Sequence, residues 1–149
     1  MIDSSVLSQY SLFDGLDPKQ IDSLLPLMEQ DVYDAGTEIL VEGMRNDKIY
    51  FIVDGRVAVI KNGVILAELG EGIFFGEMEV LDILPTEATI KAMSTTRVLT
   101  LSIDALGEIY ENDLHTYSFI IMNLARDISR RLRRSNSIVA KDSPHMEWN

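Results

Sequence analysis

The hydrophobic positions change their period twice along the chain. Ile2, Val6, Leu7 and Tyr10 fall at a helical spacing, which predicts a short packing helix over residues 2–10. Leu12-Phe13-Asp14-Gly15-Leu16 breaks it at a glycine. Asp17-Pro18 then reads as an N-cap with proline in the first turn of a second helix, whose Ile21, Leu24 and Leu25 share a face. Pro26 disfavours helical geometry at Leu25, so this helix is short or kinked there. From Glu29 alternation takes over. Apolar runs within residues 31–34, 38–41, 48–53, 56–61 and 64–69 are punctuated by Ala35-Gly36, Gly43, Asp54-Gly55 and Asn62-Gly63. Asp-Gly and Asn-Gly between apolar runs signal hairpins, because both central residues of a type I′ turn take positive φ. Residues 87–93 and 97–101 read as two further strands. Helical spacing then returns, with Ser102 or Asp104 as a cap, Leu106, Ile109 and Tyr110 facing inward, and Asn112 or Asp113 capping a last helix that runs through about Arg134. Short strands separated by frequent turns predict a mainly β sandwich or barrel of the jelly-roll kind with flanking helices.

Between the two groups of strands lies Gly70-Glu71-Gly72-Ile73-Phe74-Phe75-Gly76-Glu77-Met78-Glu79-Val80-Leu81-Asp82-Ile83-Leu84-Pro85-Thr86-Glu87-Ala88-Thr89-Ile90. It reads as a glycine-rich loop opening a short acidic helix, then a proline turn and a strand, an arrangement that builds a nest of backbone N–H groups for an anion. Its charges oppose that chemistry. The stretch carries Glu71, Glu77, Glu79, Asp82 and Glu87, with no Lys or Arg before Lys91.

Composition narrows the function classes. The 149 residues suffice for one core and are 46% hydrophobic and 25% charged, an ordinary globular balance. The absence of Cys removes disulfides, thiolate nucleophiles, iron–sulfur clusters and zinc knuckles. His115 and His145 are the only histidines and neither falls on a strand, so no metal or cofactor site is expected. No nucleophile–base pair and no Gly-x-Ser-x-Gly elbow is present, and no catalytic residue is assigned. With no apolar run of membrane-spanning length and an acidic start instead of a basic one, a cytoplasmic protein without membrane contact is expected. The net charge is −11, unevenly spread: residues 1–125 hold 7 Lys and Arg against 21 Asp and Glu, and residues 126–149 hold 6 against 3. An acidic body repels nucleic acid, and the residues after the last helix are too few for a helix-turn-helix, so no DNA binding by this chain alone is expected.

Three glycine-anchored segments carry a family resemblance. Val41-Glu42-Gly43, then residues 49–59 with Asp54-Gly55-Arg56, then Gly72-Ile73-Phe74-Phe75-Gly76-Glu77, resemble the cyclic nucleotide-binding domain family, which includes catabolite-activator-type regulators, kinase regulatory subunits and gated channels. The resemblance covers roughly residues 10–134 and implies a double-stranded β-helix: a β-roll over about 29–101, N-terminal helices, and C-terminal helices over about 104–134, the long last one moving when ligand binds. A single domain over 1–134 and a polar tail over 135–149 follow. It also implies a phosphate-binding cassette at Phe75, Gly76, Glu77, Met78, Glu79, Thr86, Glu87 and Ala88, with Glu77 in the place of the acid that bonds the ribose hydroxyl. The cassette departs from the family where Thr86 stands for the phosphate Arg and Glu87 and Glu79 stand for small residues. Loss of one partner of a buried charge pair costs about 3 to 5 kcal/mol, which lowers affinity on the order of 100- to 1,000-fold or more. Lys91 could partly substitute, although a lone Lys on a strand is more often a solvated edge charge.

The reading is therefore a non-enzymatic sensory or regulatory domain whose binding of cAMP, cGMP or another small anionic effector is weak or lost. Two alternatives stay open: a domain that still binds a cyclic nucleotide through altered contacts, and a dimerisation or partner-docking module without a small ligand. In the last helix Ile121, Ala125, Ile128, Leu132, Ser135 and Val139 recur at coiled-coil spacing, and a homodimer interface at Ile121, Ala125, Ile128 and Leu132 is expected. Arg126, Arg130, Arg131, Arg133 and Arg134 read as a solvated face that suits the helix C-terminus and the acidic body.

Overall fold

Glycine, proline and capping residues divide the chain where the hydrophobic period changes. The computed structural model describes residues 2–142; Val139's side chain, His145, Trp148 and the end of the predicted tail lie outside what is described. The described residues form α1 (Ser4–Leu7), α2 (Pro18–Leu24), β1 (Glu29–Tyr33), β2 (Glu38–Leu40), β3 (Lys48–Asp54), β4 (Val57–Lys61), β5 (Val64–Leu69), β6 (Phe74–Phe75), α3 (Glu77–Asp82), β7 (Thr89–Ala92), β8 (Thr96–Ser102), α4 (Ile103–Asn112) and α5 (Leu114–Asp142).

Local chemistry accounts for most helix ends. Asp17 caps α2 in a reciprocal box: the Gln20 N–H donates to its carboxylate at 2.8 Å, and the Asp17 N–H donates to the Gln20 side chain at 2.9 Å, worth about 1 kcal/mol. Pro26 tightens the exit into a 3-10 turn over Leu25–Leu27. Ser102 caps α4, accepting from the Ala105 N–H at 3.0 Å. Asp113 separates α4 from α5 and accepts from the Thr116 N–H at 3.1 Å. Two helices differ from their predicted lengths. The first ends at Leu7 because Tyr10 turns extended and packs its ring edge-on against Phe51, 5.3 Å between centroids. The last continues beyond Arg134 to Asp142. Ser135, Asn136 and Ser137 are poor helix formers, but each costs only about half a kcal/mol, too little to end a helix without glycine or proline.

The strands form two antiparallel sheets, ordered β1-β8-β3-β6 and β2-β7-β4-β5, closing into a jelly-roll-like β-roll. Asn62 and Gly63 have φ of 53° and 74° and turn β4 into its hairpin partner β5, as predicted. Asp54-Gly55 is a correction. It does not close a hairpin, because β3 and β4 lie in different sheets and the chain crosses from one to the other there. Gly55 is still required: φ is 101°, and an added Cβ would lie 2.6 Å from the Thr96 Cα. Strand β6, missed inside the glycine-rich stretch, pairs Phe74 and Phe75 with Phe51 and Tyr50.

Two hydrophobic cores result, and the period-2 geometry of a strand feeds both from one segment. Ile49, Phe51 and Val53 join Leu7, Phe13, Phe74, Ile120 and Leu124 beneath the helices. Tyr50 and Ile52 join Leu40, Val57, Phe75, Ile90 and Val98 inside the roll. Phe74 and Phe75 therefore look in opposite directions, and Phe75 points toward the site.

Candidate functional site

Gly76 opens α3 with φ of 81°, and a Cβ there would lie 2.8 Å from the Asn46 amide nitrogen and 2.9 Å from the Lys48 carbonyl oxygen. The Asn46 amide uses that space, donating to the Gly76 carbonyl at 3.0 Å and the Lys48 carbonyl at 2.9 Å. This fixes the loop on β3 just before Glu77. Phe75 stacks on Tyr50 with centroids 4.9 Å apart and planes 6° from parallel. Burial pushes the Tyr50 phenol up to about 12, so the ring remains neutral.

Beside this loop is a cavity of about 290 Å³, lined by Val59, Leu66, Leu69, Phe75, Met78, Ala88 and Ile90 together with Lys61, Glu77, Glu79, Glu87 and Arg131. Glu77, only 5% exposed, is the most enclosed of the charged groups. Its carboxylate meets the Arg131 guanidinium at 3.3 Å, and Arg131 also donates to the Phe74 carbonyl at 2.8 Å while its cation lies 4.4 Å from the Phe74 ring centre. Burial raises the Glu77 pKa, and Arg131 opposes that rise. On the other wall Lys61 approaches Glu87 at 3.7 Å. Glu79 makes no ion pair among the described residues; burial raises its pKa, its own backbone amide opposes this, and Glu77, Asp82 and Glu87 add to the rise.

The cassette residues expected from the sequence are largely brought together. Phe75, Glu77, Met78, Glu79, Glu87 and Ala88 line the cavity, while Gly76 shapes its entrance from behind. Thr86 does not line it. Its N–H donates to the Met44 carbonyl and its carbonyl accepts from the Gly43 N–H, both at 2.8 Å, and its hydroxyl is buried with no hydrogen-bond partner. Lys91 is exposed and lies outside the cavity. His115 is also exposed, its ring 4.8 Å from Phe119. Among the described residues no group of three His, Cys, Asp or Glu side chains is placed to hold a metal.

Arg131 and Lys61 also line the cavity, and neither is expected there from the sequence. Arg131 departs from the solvated arginine face predicted for it, because it follows Leu124 and Ile128 at positions i+7 and i+3, and that face of α5 packs on the roll. The same spacing could have marked it. Of the four residues expected at a dimer seam, Ile121 and Ile128 are half-buried against this chain's own core, and Ala125 and Leu132 are exposed.

A cavity with largely apolar walls and a few convergent charged groups has the make-up common to small-molecule sites. The chain spans about a fifth or less of the length of the first curated relatives it matches. It is 32% identical over 96 residues, 64% of this chain and 21% of the relative, to the cAMP-dependent protein kinase regulatory subunit of Debaryomyces hansenii. Among solved structures it superposes with a TM-score of 0.83 on a cyclic nucleotide-binding domain from Methylobacillus flagellatus, at 25% identity over 97% of this chain and 83% of that one. It superposes with a TM-score of 0.77 on the catabolite activator protein of Thermus thermophilus, at 28% identity over 89% of this chain and 63% of that one. The family model described as "Cyclic nucleotide-binding domain" matches residues 30–113, from the first strand to the cap of α5 and through every cassette residue, and by that match the chain belongs to the cyclic nucleotide-binding domain family.

Proposed function

We propose that this chain is a non-enzymatic regulatory domain whose chamber holds cyclic nucleotides weakly or not at all. The supporting observation is the set of groups around the chamber: three carboxylates line it, both of its cations are already paired, and Thr86 is turned away into the Gly43-Met44 turn. A cyclic phosphate placed there meets Glu87 and Glu79 and finds no free guanidinium, a repulsion of up to about 4 kcal/mol for each charge pair at contact near a surface. Calorimetric titration with cAMP and with cGMP tests the reading. Dissociation constants in the millimolar range or no heat are expected, and micromolar binding of either nucleotide overturns it.

A second reading concerns assembly. Along α5 every residue from Leu132 to Ile138 is exposed, Leu132 at 60% and Ile138 at 56%. This stretch gains nothing from the body of its own chain, and isolated helical segments are marginal in water. That supports pairing of two copies through the outer part of α5, at Leu132 and Ala125, with Ile121 and Ile128 shared between the seam and the chain's own core.

A further inference from the structure

We propose that the groove between α3, α4 and the start of α5 is a docking surface for a basic amphipathic helix of a partner protein. Groove and chamber share no lining residue, so this docking is independent of whatever the chamber binds.

The groove is open, with a volume of about 420 Å³, and is walled by Leu81 of α3, by Ile103, Gly107 and Tyr110 of α4, and by Tyr117 and Ile121 of α5. Tyr110 stands edge-on to Tyr117, 5.2 Å between ring centres, yet it is 55% exposed. Leu81 and Ile103 are exposed as well. Ile83 and Leu84 extend the apolar surface into an adjoining cleft, which shares Ile103.

Two positions on this surface destabilise the isolated chain without serving its own packing. Gly107 sits inside α4, where glycine is the least favourable residue after proline. An added Cβ there would meet nothing within 4 Å, so no contact within the chain requires the glycine. What its missing side chain does permit is a close approach from outside. Ile83 ends α3 with φ of 59°, the left-handed conformation that glycine normally takes and that a β-branched residue resists. Its side chain is nevertheless 78% exposed. Both features are accounted for by another chain lying along the groove, with its backbone close to Gly107 and its apolar side chains beside Ile83 and Tyr110.

Charge and shape decide the occupant. Residues 77–82 hold three acids and residues 98–125 hold four, and neither stretch contains a Lys or Arg. Asp104 and Glu111 lie three residues before and four after Gly107, so they flank it on the helix surface. Both are exposed, and neither forms an ion pair among the described residues. Arg45 borders the adjoining cleft and not the groove. A surface of this sign repels nucleic acid and anionic membranes and favours Lys and Arg on its partner. An extended peptide docks on a free sheet edge, and the walls here are helices. A helix suits them, because helices pack ridge into groove with axes about 8 to 10 Å apart, the shorter distance where the contact residues are small. From Ile103 to Tyr110 the wall is about 10 Å long, which matches apolar anchors at i, i+3 or i+4, and i+7.

The probe is a fluorescein-labelled synthetic helix of about 15 residues, with leucines at i, i+3, i+4 and i+7 and lysines on its other face. It is compared with the same sequence carrying glutamate for lysine and with a scramble of equal composition. Fluorescence anisotropy on the full chain at physiological ionic strength is expected to show the lysine helix bound at about 100 micromolar or tighter, and both comparison peptides about tenfold weaker or more. Gly107→Leu and Tyr110→Ser, with unchanged circular dichroism spectra, should each weaken the lysine helix about fivefold or more. Val64→Ser, at an exposed apolar position on β5, should leave it unchanged. Gly107→Ala should raise the melting temperature by about 3 °C and still weaken binding, a pair of opposite effects that a damaged fold does not produce. Absence of binding by the lysine helix, equal binding by the scramble, or equal weakening in Val64→Ser overturns the proposal. Self-association of the unmodified chain that Gly107→Leu abolishes would place a second copy in the groove and overturns it as well.

Discussion

Water barely reaches the Glu77 carboxylate, so its cost to the fold depends on Arg131. Truncation by Arg131→Met leaves the acid enclosed without a countercharge and is expected to lose about 2 to 4 kcal/mol, the lower part of this range because the guanidinium keeps some contact with solvent. Adding Glu77→Gln should restore part of that loss, and urea denaturation of the single and double variants measures both steps. Glu79 predicts a pH dependence of definite sign. Its pKa is raised above the ordinary 4.5, so the folded chain holds this proton more tightly than the unfolded one. The stability it contributes is full below about pH 4.5 and is lost as pH rises through the raised value. Glu79→Gln should therefore raise the melting temperature at pH 7 and give no gain near pH 4; an equal change at both would refute the assignment. These acids were legible in the sequence because the α3 turn and the following proline are local features. The place of Arg131 on the packed face of α5 follows from its spacing after Leu124 and Ile128, but its partners do not, because they lie 54 and 57 positions earlier in the chain.

At the level of elements, turn chemistry told the sequence reading where strands end but not which strands pair. Asn62-Gly63 and Asp54-Gly55 carry the same kind of signal, and only the first closes a hairpin. The second needs its glycine for the close approach of Thr95 and Thr96, a contact made by a strand still about 40 residues ahead. Strand β6 was hidden for a related reason: with two residues it is too short to show alternation, and its pairing comes from Phe51 and Tyr50. In α5 the apolar residues expected at one seam do not behave alike. Ile121 and Ile128 contact the core of their own chain while Leu132 does not. If copies pair through the outer helix, Leu132→Glu should shift the mass measured by light scattering from dimer to monomer while sparing the melting temperature at low concentration. A monomeric unmodified protein across the micromolar range would end that reading.

The whole molecule sets an acidic roll against a more basic terminal helix, and the two meet where Arg131 enters the chamber. That meeting depends on the register of α5 from its start to Arg131, and a single residue, Asp113, separates α4 from α5. The 29 residues of α5 extend about 43 Å at 1.5 Å per residue. Measured from Asp113, the contact of Arg131 with Glu77 lies about 26 Å along this helix. A rotation of roughly 10° at Asp113 carries the far end about 7 Å, more than a full helical turn. Any change of angle at Asp113 is therefore magnified toward the exposed end of α5, from Leu132 to Ile138.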